Sequence, residues 1–279
     1  MKQIASILCA IVILSQFLFD ANIHASGLSY ADNQIFSSGY VDFRDAGALS
    51  VSMYPFAISK KKLSFQTSHR SLYGLKELTD NQFAVTTHLR DFTIGAGGAV
   101  FGKSDYFQQM GLSLFGNHSI KGLVFGFAII YNRLSFNASY NDISYTACNL
   151  GLSKTYNNFL LFGTARNINR PKYYNSSDKL PLEAECGISY LSKSSLDSQI
   201  SVLLREHEKP TAMTTQSFKL DKRIQLNWTL VLYPIRFGGG LDLETSHLGF
   251  NYKVSHHPVL GMTHTVLLSV FLPNENLTD

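Results

Sequence analysis

The chain has 279 residues and a formal net charge of +4, and only 16% of its residues are charged. That is well below the roughly 25% of an average soluble domain. The positive charge is modest and spread along the chain, which gives no case for a nucleic-acid partner. With 20 Phe, 14 Tyr and 20 Gly at a mean hydropathy near zero, the composition fits lipid outside and polar residues inside. A soluble β-sandwich is the plain alternative.

The first residues read as a secretory signal. Lys2 gives a short basic end, Ile4 to Phe19 is almost wholly apolar, and Ile23-His24-Ala25 offers a cleavage site after Ala25. An uncleaved anchor is the alternative to cleavage. Beyond it, no apolar run reaches the ~18–20 residues of a membrane-spanning helix. The longest, Leu123 to Tyr131, is far shorter, so a membrane protein here has to be a barrel.

Residues 26–59 form the least regular stretch. Ala46-Gly47-Ala48-Leu49 suggests small-residue packing, and Tyr54-Pro55-Phe56 suggests a break. We read it as a segment that plugs or caps a barrel spanning residues 60–279. A leader followed by an early first strand is the other reading.

From Lys62 onward the chain falls into strand-length pieces. Leu63 to Tyr73, Gln82 to Arg90 and Phe92 to Phe101 come first, the last with Gly95, Gly97 and Gly98 where strands bend or cross a crowded interior. Tyr106 to Phe115 and Gly122 to Tyr131 follow, with a break expected at Gly116-Asn117-His118. Asn132-Arg133 reads as a tight turn into Leu134 to Tyr140. Ser144 to Lys154 and Phe159 to Asn167 make a hairpin across Asn157-Asn158. Arg170 to Pro181, with two prolines and no periodicity, is the best long loop. Leu182 to Leu191 and Gln199 to Arg205 precede a polar loop at Glu206-His207-Glu208-Lys209-Pro210. Thr214 to Leu220, Ile224 to Tyr233 and Ile235 to Leu243 lead to the last hairpin. Some pieces must merge, and 12–14 strands are expected.

That last hairpin, Leu248 to Leu272, carries the clearest pattern. Leu248, Phe250, Tyr252 and Val254 alternate with Gly249, Asn251, Lys253 and Ser255. After His256-His257-Pro258 and Gly261, the residues Met262, His264, Val266, Leu268, Val270 and Leu272 hold one face. Period-two alternation marks a strand with two unlike faces. No helix pattern nearby could cover the apolar face, and a closed barrel in a bilayer leaves that task to lipid.

The run Tyr252 to His264 resembles the last hairpin of bacterial outer-membrane barrels, in the FadL-like fatty-acid-transporter superfamily and in the Por barrel subunits of type IX secretion. The resemblance is carried by the His-Pro turn, Leu260-Gly261 and the Thr263-His264 pair. It implies an all-β, antiparallel transmembrane outer-membrane β-barrel with an N-terminal plug. It further implies outer-membrane lipid around the wall and a terminal aromatic, near Phe271, that the barrel-assembly machinery reads. The usual Asn-Pro-Ala of the plug appears here only as Met53-Tyr54-Pro55-Phe56.

The residues offer little to catalysis or metal binding. His256, His257 and His264 lack a nearby carboxylate, and hydrogen bonding that fixes a turn is their simpler role. Glu206 and Glu208 lie on a Pro-terminated loop, a poor mount for paired-carboxylate chemistry. Glu183 and Glu185 share a strand face and are expected in the lumen. Gly111-Leu112-Ser113-Leu114-Phe115-Gly116 misses the nucleophile-elbow spacing. Gly238-Gly239-Gly240 lacks a phosphate-loop Lys-Ser/Thr and is expected to ease strand curvature. Cys148 and Cys186 are expected as free strand cysteines. No catalytic, cofactor or metal residue is assigned. Two functions stand: passage of small hydrophobic molecules, or a non-enzymatic scaffold or shuttle for a secretion or surface-attachment partner protein. A continuous apolar lumen or lateral gap would favour the first, and a lumen filled by side chains the second.

Overall fold

The computed structural model describes residues 41–103, 107–136, 142–172, 179–192, 195–233 and 235–272. The expected signal, residues 1–25, and residues 26–40 lie outside them. Among the described residues, one short helix, α1 (Ala48–Met53), precedes fourteen strands. They are β1 (Leu63–Ser71), β2 (Thr79–Leu89), β3 (Phe92–Lys103), β4 (Phe107–Ile120), β5 (Leu123–Phe136), β6 (Ile143–Tyr156) and β7 (Phe159–Arg166). Then come β8 (Glu183–Tyr190), β9 (Leu196–Arg205), β10 (Thr211–Asp221), β11 (Ile224–Leu232), β12 (Ile235–Glu244), β13 (Leu248–His257) and β14 (Gly261–Leu272). Each pairs antiparallel with its neighbour in sequence. β14 returns to β1, from Leu63 opposite Leu272 to Ser71 opposite His264, and closes the barrel.

Two expected breaks are not breaks. Gly116-Asn117-His118 lies within β4, and the chain reverses later, at Lys121-Gly122. Asn132-Arg133 lies within β5, so the two pieces on either side of it are one strand. The reason is the lumen. Asn117 and Asn132 point inward and are buried there with polar partners. An asparagine marks a turn only where no interior polar site exists to receive it.

The faces alternate through the whole wall. Ser64, Gln82, Thr93, Asn149, Thr164, Glu185, Ser201, Thr215, Thr229, Lys253 and Thr265 are buried inside. Phe83, Ile94, Leu114, Phe127, Leu150, Ile200, Leu226, Phe250 and Leu268 stand exposed outside. This is the inside-out pattern of a wall between water and hydrocarbon. Among the described residues no helix is long and apolar enough to cross a membrane; the strands do so.

The two ends differ. Tight turns at Arg90-Asp91, Lys121-Gly122, Asn157-Asn158 and Lys222-Arg223 lie at one end, with positive φ at Arg90, Lys121, Gly122 and Asn157. The chain enters β1 and leaves β14 at this end. The longest connection, Asn167 to Leu182, lies at the other, with the Glu206–Pro210 loop. Short turns are periplasmic and long loops extracellular in such barrels. The described parts of the expected Arg170–Pro181 loop fall in that longest connection.

In the C-terminal hairpin, Met262, His264, Val266, Leu268, Val270 and Leu272 face outward as the alternation predicted, while Thr265, Ser269 and Phe271 are buried inside. Leu268→Arg therefore puts a charge into hydrocarbon and should cost about 2–4 kcal/mol. Ser269→Ala should cost only about 1 kcal/mol, one lost hydrogen bond from Gln66. Reversible urea unfolding in lipid vesicles would measure both, and equal costs would mean that the faces are reversed.

Candidate functional site

The site is the lumen, and its two sides differ in chemistry. On the side of β1 to β7, residues 41–59 pack against the inner wall. The segment is folded back on itself: the amide of Ala46 donates to the Ile58 carbonyl at 2.6 Å, and that of Ile58 to the Phe43 carbonyl at 2.9 Å. Between these contacts lies α1. Its small and apolar residues suit close packing, and Pro55 keeps it from continuing. No side chain of its own caps its start. The wall does so instead, because Gln66 Oε1 accepts from the Leu49 amide at 2.9 Å. Gln66 Nε2 then donates to Ser269 Oγ at 2.8 Å. One side chain of β1 thus holds α1 and the seam strand β14 together.

An aromatic cluster fills the segment's centre. Phe43 stands 5.1 Å from Tyr54, 4.9 Å from Phe56 and 4.9 Å from Phe162 of β7, measured between ring centres, and Phe56 stacks on Phe162 at 5.5 Å. Phe43, Tyr54 and Phe56 are at most 2% exposed. Each ring buried this way contributes about 1.5–3 kcal/mol, so the segment is seated by apolar burial first. Polar contacts set its position. Asn117 Nδ2 donates to the carbonyls of Pro55, at 3.0 Å, and Ala57, at 2.6 Å.

Two glycines make the seat. Gly126 and Gly151 are paired across β5 and β6 and face inward. A Cβ on Gly126 would overlap the Pro55 carbonyl, and one on Gly151 would lie 2.9 Å from the Phe56 ring. The glycines singled out from sequence serve local crowding instead. Gly95 lies under the Phe115 ring and Gly98 under the Phe83 ring.

At the periplasmic rim, Lys61 ties the segment to the wall. Its ammonium lies 3.0 Å from Glu244, 3.7 Å from Asp45 and 4.5 Å from the centre of the Phe271 ring. Burial alone would lower its pKa, but the two carboxylates outweigh burial and hold the group above its ordinary value.

The other side, from β7 to β13, carries charge in pairs. Arg166 Nη2 meets Glu185 at 2.9 Å, Arg205 Nε meets Glu183 at 2.9 Å, and Arg205 Nη1 meets Glu208 at 2.7 Å. Lys219 meets Asp197 at 3.1 Å, and Asn227 donates to Asp242. Across the lumen, Arg70 pairs with Asp80, which Gln82 also contacts at 2.7 Å. Buried charges persist only when matched in this way. Arg166 also lies 5.5 Å over the Tyr54 ring, so the charged side touches the aromatic side.

Glu183 and Glu185 are in the lumen as expected, both 2% exposed. His257 Nδ1 accepts from the amides of Val259 and Leu260 and so fixes the last turn. His264 turns outward and bonds Tyr252 at 2.8 Å. Glu206 pairs with Arg170 between the two long loops. Cys148 and Cys186 are free thiols on the outer faces of β6 and β8. Gly238, Gly239 and Gly240 are strand residues of β12. Sequence reasoning missed Gln66, Asn117, Arg166 and the pair Gly126–Gly151. The available signal was polar or glycine residues in phase with the small inward face of otherwise apolar strands.

Between α1 and the wall lies a cavity of about 40 Å³, lined by Leu49 and Met53 from the segment and by Ala99, Gly111, Ser113 and Ile130 from the wall. A cavity that takes a benzene ring is nearer 150 Å³. A ring-sized solute would therefore fit there only if the segment gave way.

No family model matches the chain, and no curated protein matches it in sequence. Solved structures do match in shape. The toluene transporter TodX of P. putida aligns at a TM-score of 0.58 with 10% identity, over 83% of this chain and 96% of that one. The monoaromatic hydrocarbon channel CymD aligns at 0.58 with 7% identity, over 82% and 94%. The outer-membrane protein Omp33 of Acinetobacter baumannii aligns at 0.52 with 8% identity, over 76% and 98%. At these identities the likeness establishes the fold alone, a closed antiparallel β-barrel like those of outer-membrane proteins. The narrower resemblance of the last hairpin to the FadL-like superfamily and the Por barrels stays an expectation.

Filling the seat should loosen the segment. In Gly126→Val, residues 41–59 should become open to added protease and ion conductance in planar bilayers should rise from near zero. Gly163→Ala, where the nearest atom to a new Cβ is 3.7 Å away, should change neither. Unchanged protection in Gly126→Val would mean that the segment is held elsewhere.

Proposed function

We propose that the protein is a non-enzymatic outer-membrane channel that passes small hydrophobic molecules, with residues 26–59 as its plug and residues 1–25 as its export signal. The observation that carries this reading is the apolar segment seated on Gly126 and Gly151. It covers one side of the lumen, while paired charges occupy the other. A water-filled pore needs an open polar bore, as in larger porins. Here the bore holds aromatic rings whose displacement would open a route with an apolar lining. Two solved structures of similar shape are a toluene transporter and a monoaromatic hydrocarbon channel, in keeping with that class of solute. During biogenesis, the C-terminal strand with Phe271 would be the part read by the barrel-assembly machinery, and Lys61 would cover that ring only after closure.

The scaffold reading has one observation in its favour. The ion pairs of β7 to β9 fill their side of the lumen with side chains, as a barrel that only holds a partner protein would.

Transport separates the two. Cells with the intact barrel should accumulate a monoaromatic probe such as toluene several-fold faster than cells without it, while the purified barrel conducts almost no ions. Deleting Gly27 to Ala57 behind the intact signal should leave a heat-modifiable barrel of much higher conductance. Equal uptake with and without the barrel, together with near-zero conductance after the deletion, would favour the scaffold. Failure of the deleted form to assemble would place the segment in the wall and end the plug reading.

A further inference from the structure

At the periplasmic rim one lysine stands in a row that otherwise faces acyl chains. Lys154 of β6 lies between Leu123 of β5 and Leu161 of β7. Its neighbours on the same face of β6 are Leu152 and Tyr156, both exposed, while Ser153 is buried on the lumen side. A lysine placed this way keeps its methylene stem along the apolar wall and carries its charge to the interface. Here the charge is held in place. Lys154 Nζ donates to the Lys121 carbonyl at 2.8 Å, in the turn between β4 and β5.

Lys121 is a second cation at the same turn. It is exposed, with φ of 48°, and Gly122 follows at 73°. A turn with two positive φ values favours Asn-Gly, so the lysine sits where its backbone conformation does not favour it. The corresponding position in the β6–β7 turn is the expected asparagine, Asn157. Elsewhere at this rim cations have an acid beside them. Lys61 meets Asp45 and Glu244, Lys219 meets Asp197, and Asp221 precedes Lys222. Among the described residues neither Lys121 nor Lys154 meets a carboxylate. Lys62 and Arg90 meet none either, but they stand in connections, where water hydrates them.

We propose that Lys154 and Lys121 form a binding site for an anionic glycerophospholipid of the inner leaflet. Two cations held at one turn repel each other unless an anion lies between them. A phosphodiester supplies that anion at this depth, where anionic lipid attracts rim lysines. The acyl chains would continue onto Leu152 and Phe125, which are exposed on the same face and lie nearer mid-membrane. Tyr156, 70% exposed, stands at the rim beside them, at the level where membrane proteins collect tyrosines. The leaflet follows from the orientation of the barrel, whose tight turns are periplasmic. The inference is independent of what passes through the lumen.

The test places the full-length barrel in nanodiscs of phosphatidylcholine with a minor share of phosphatidylglycerol, and native mass spectrometry reads which lipid stays bound. The unaltered barrel should retain phosphatidylglycerol in clear preference to phosphatidylcholine. Lys121→Asn combined with Lys154→Gln should reduce that preference roughly tenfold while keeping heat-modifiable migration, because asparagine suits the turn. Should the double variant fail to fold, Lys154→Gln alone is read in the same way. Lys222→Asn, on the far side of the rim, should change little. Added inorganic phosphate should not displace the lipid, since it has no chains to lie on the wall. Equal retention of the two lipids, a preference unchanged by the substitutions, an equal loss in Lys222→Asn, or displacement by inorganic phosphate would each overturn the proposal.

Discussion

The structure depends on one constraint. A strand surrounded by hydrocarbon cannot leave a backbone amide or carbonyl unpaired, so the sheet must close. Closure between β1 and β14 decides the rest. It divides every strand into a lipid-facing and a lumen-facing set, and it reverses the usual logic of a core. The polar groups go inside, where they must find each other, and the large apolar groups need no protein partner at all. Asp197, Glu185 and Arg205, each nearly inaccessible, are tolerable only because Lys219, Arg166 and Glu183 meet them.

A closed wall of this circumference encloses more space than its own side chains fill. On the β7 to β9 side, long arginine and glutamate side chains take up that space. On the β5 and β6 side, the inward residues Gly126, Ala128, Ala147 and Gly151 are too small to reach the centre. That deficit is what residues 41–59 occupy, with Phe43 and Phe56 supplying the bulk the wall lacks. The aromatic cluster and the small-residue wall are two halves of one packing solution, and a change on either side has to be answered on the other.

The barrel was legible in the sequence because its main signal is local. Alternation in Leu248 to Leu272 depends only on which neighbours face lipid, and it yielded both strands and their faces. The breaks misplaced at Asn117 and Asn132 show where local reading ends. Both residues look like turn formers, and only a lumen partner, the Pro55 carbonyl for one and Gln109 for the other, keeps them in a strand. The seat at Gly126 and Gly151 was illegible for the same reason. A glycine's need for space depends on what approaches it, and here that is a segment about seventy to ninety-five residues earlier in the chain. The irregularity of residues 26–59 was visible, yet nothing local said which strands would receive them.

Gln66 links the two levels of the structure. Its side chain caps α1 through the Leu49 amide and crosses the seam to Ser269. The cap is at full strength only when β14 has come alongside β1, because otherwise Nε2 loses its acceptor and the amide is free to rotate away. Lys61 repeats the arrangement at the rim, where it joins Asp45 of the segment to Glu244 of β12 and covers Phe271 of β14. Seating of the segment and closure of the barrel are therefore coupled through the same two side chains. A segment bound in this way stabilises the seam it leans on, and a strain that opens the seam loosens the segment before the rest of the wall is disturbed.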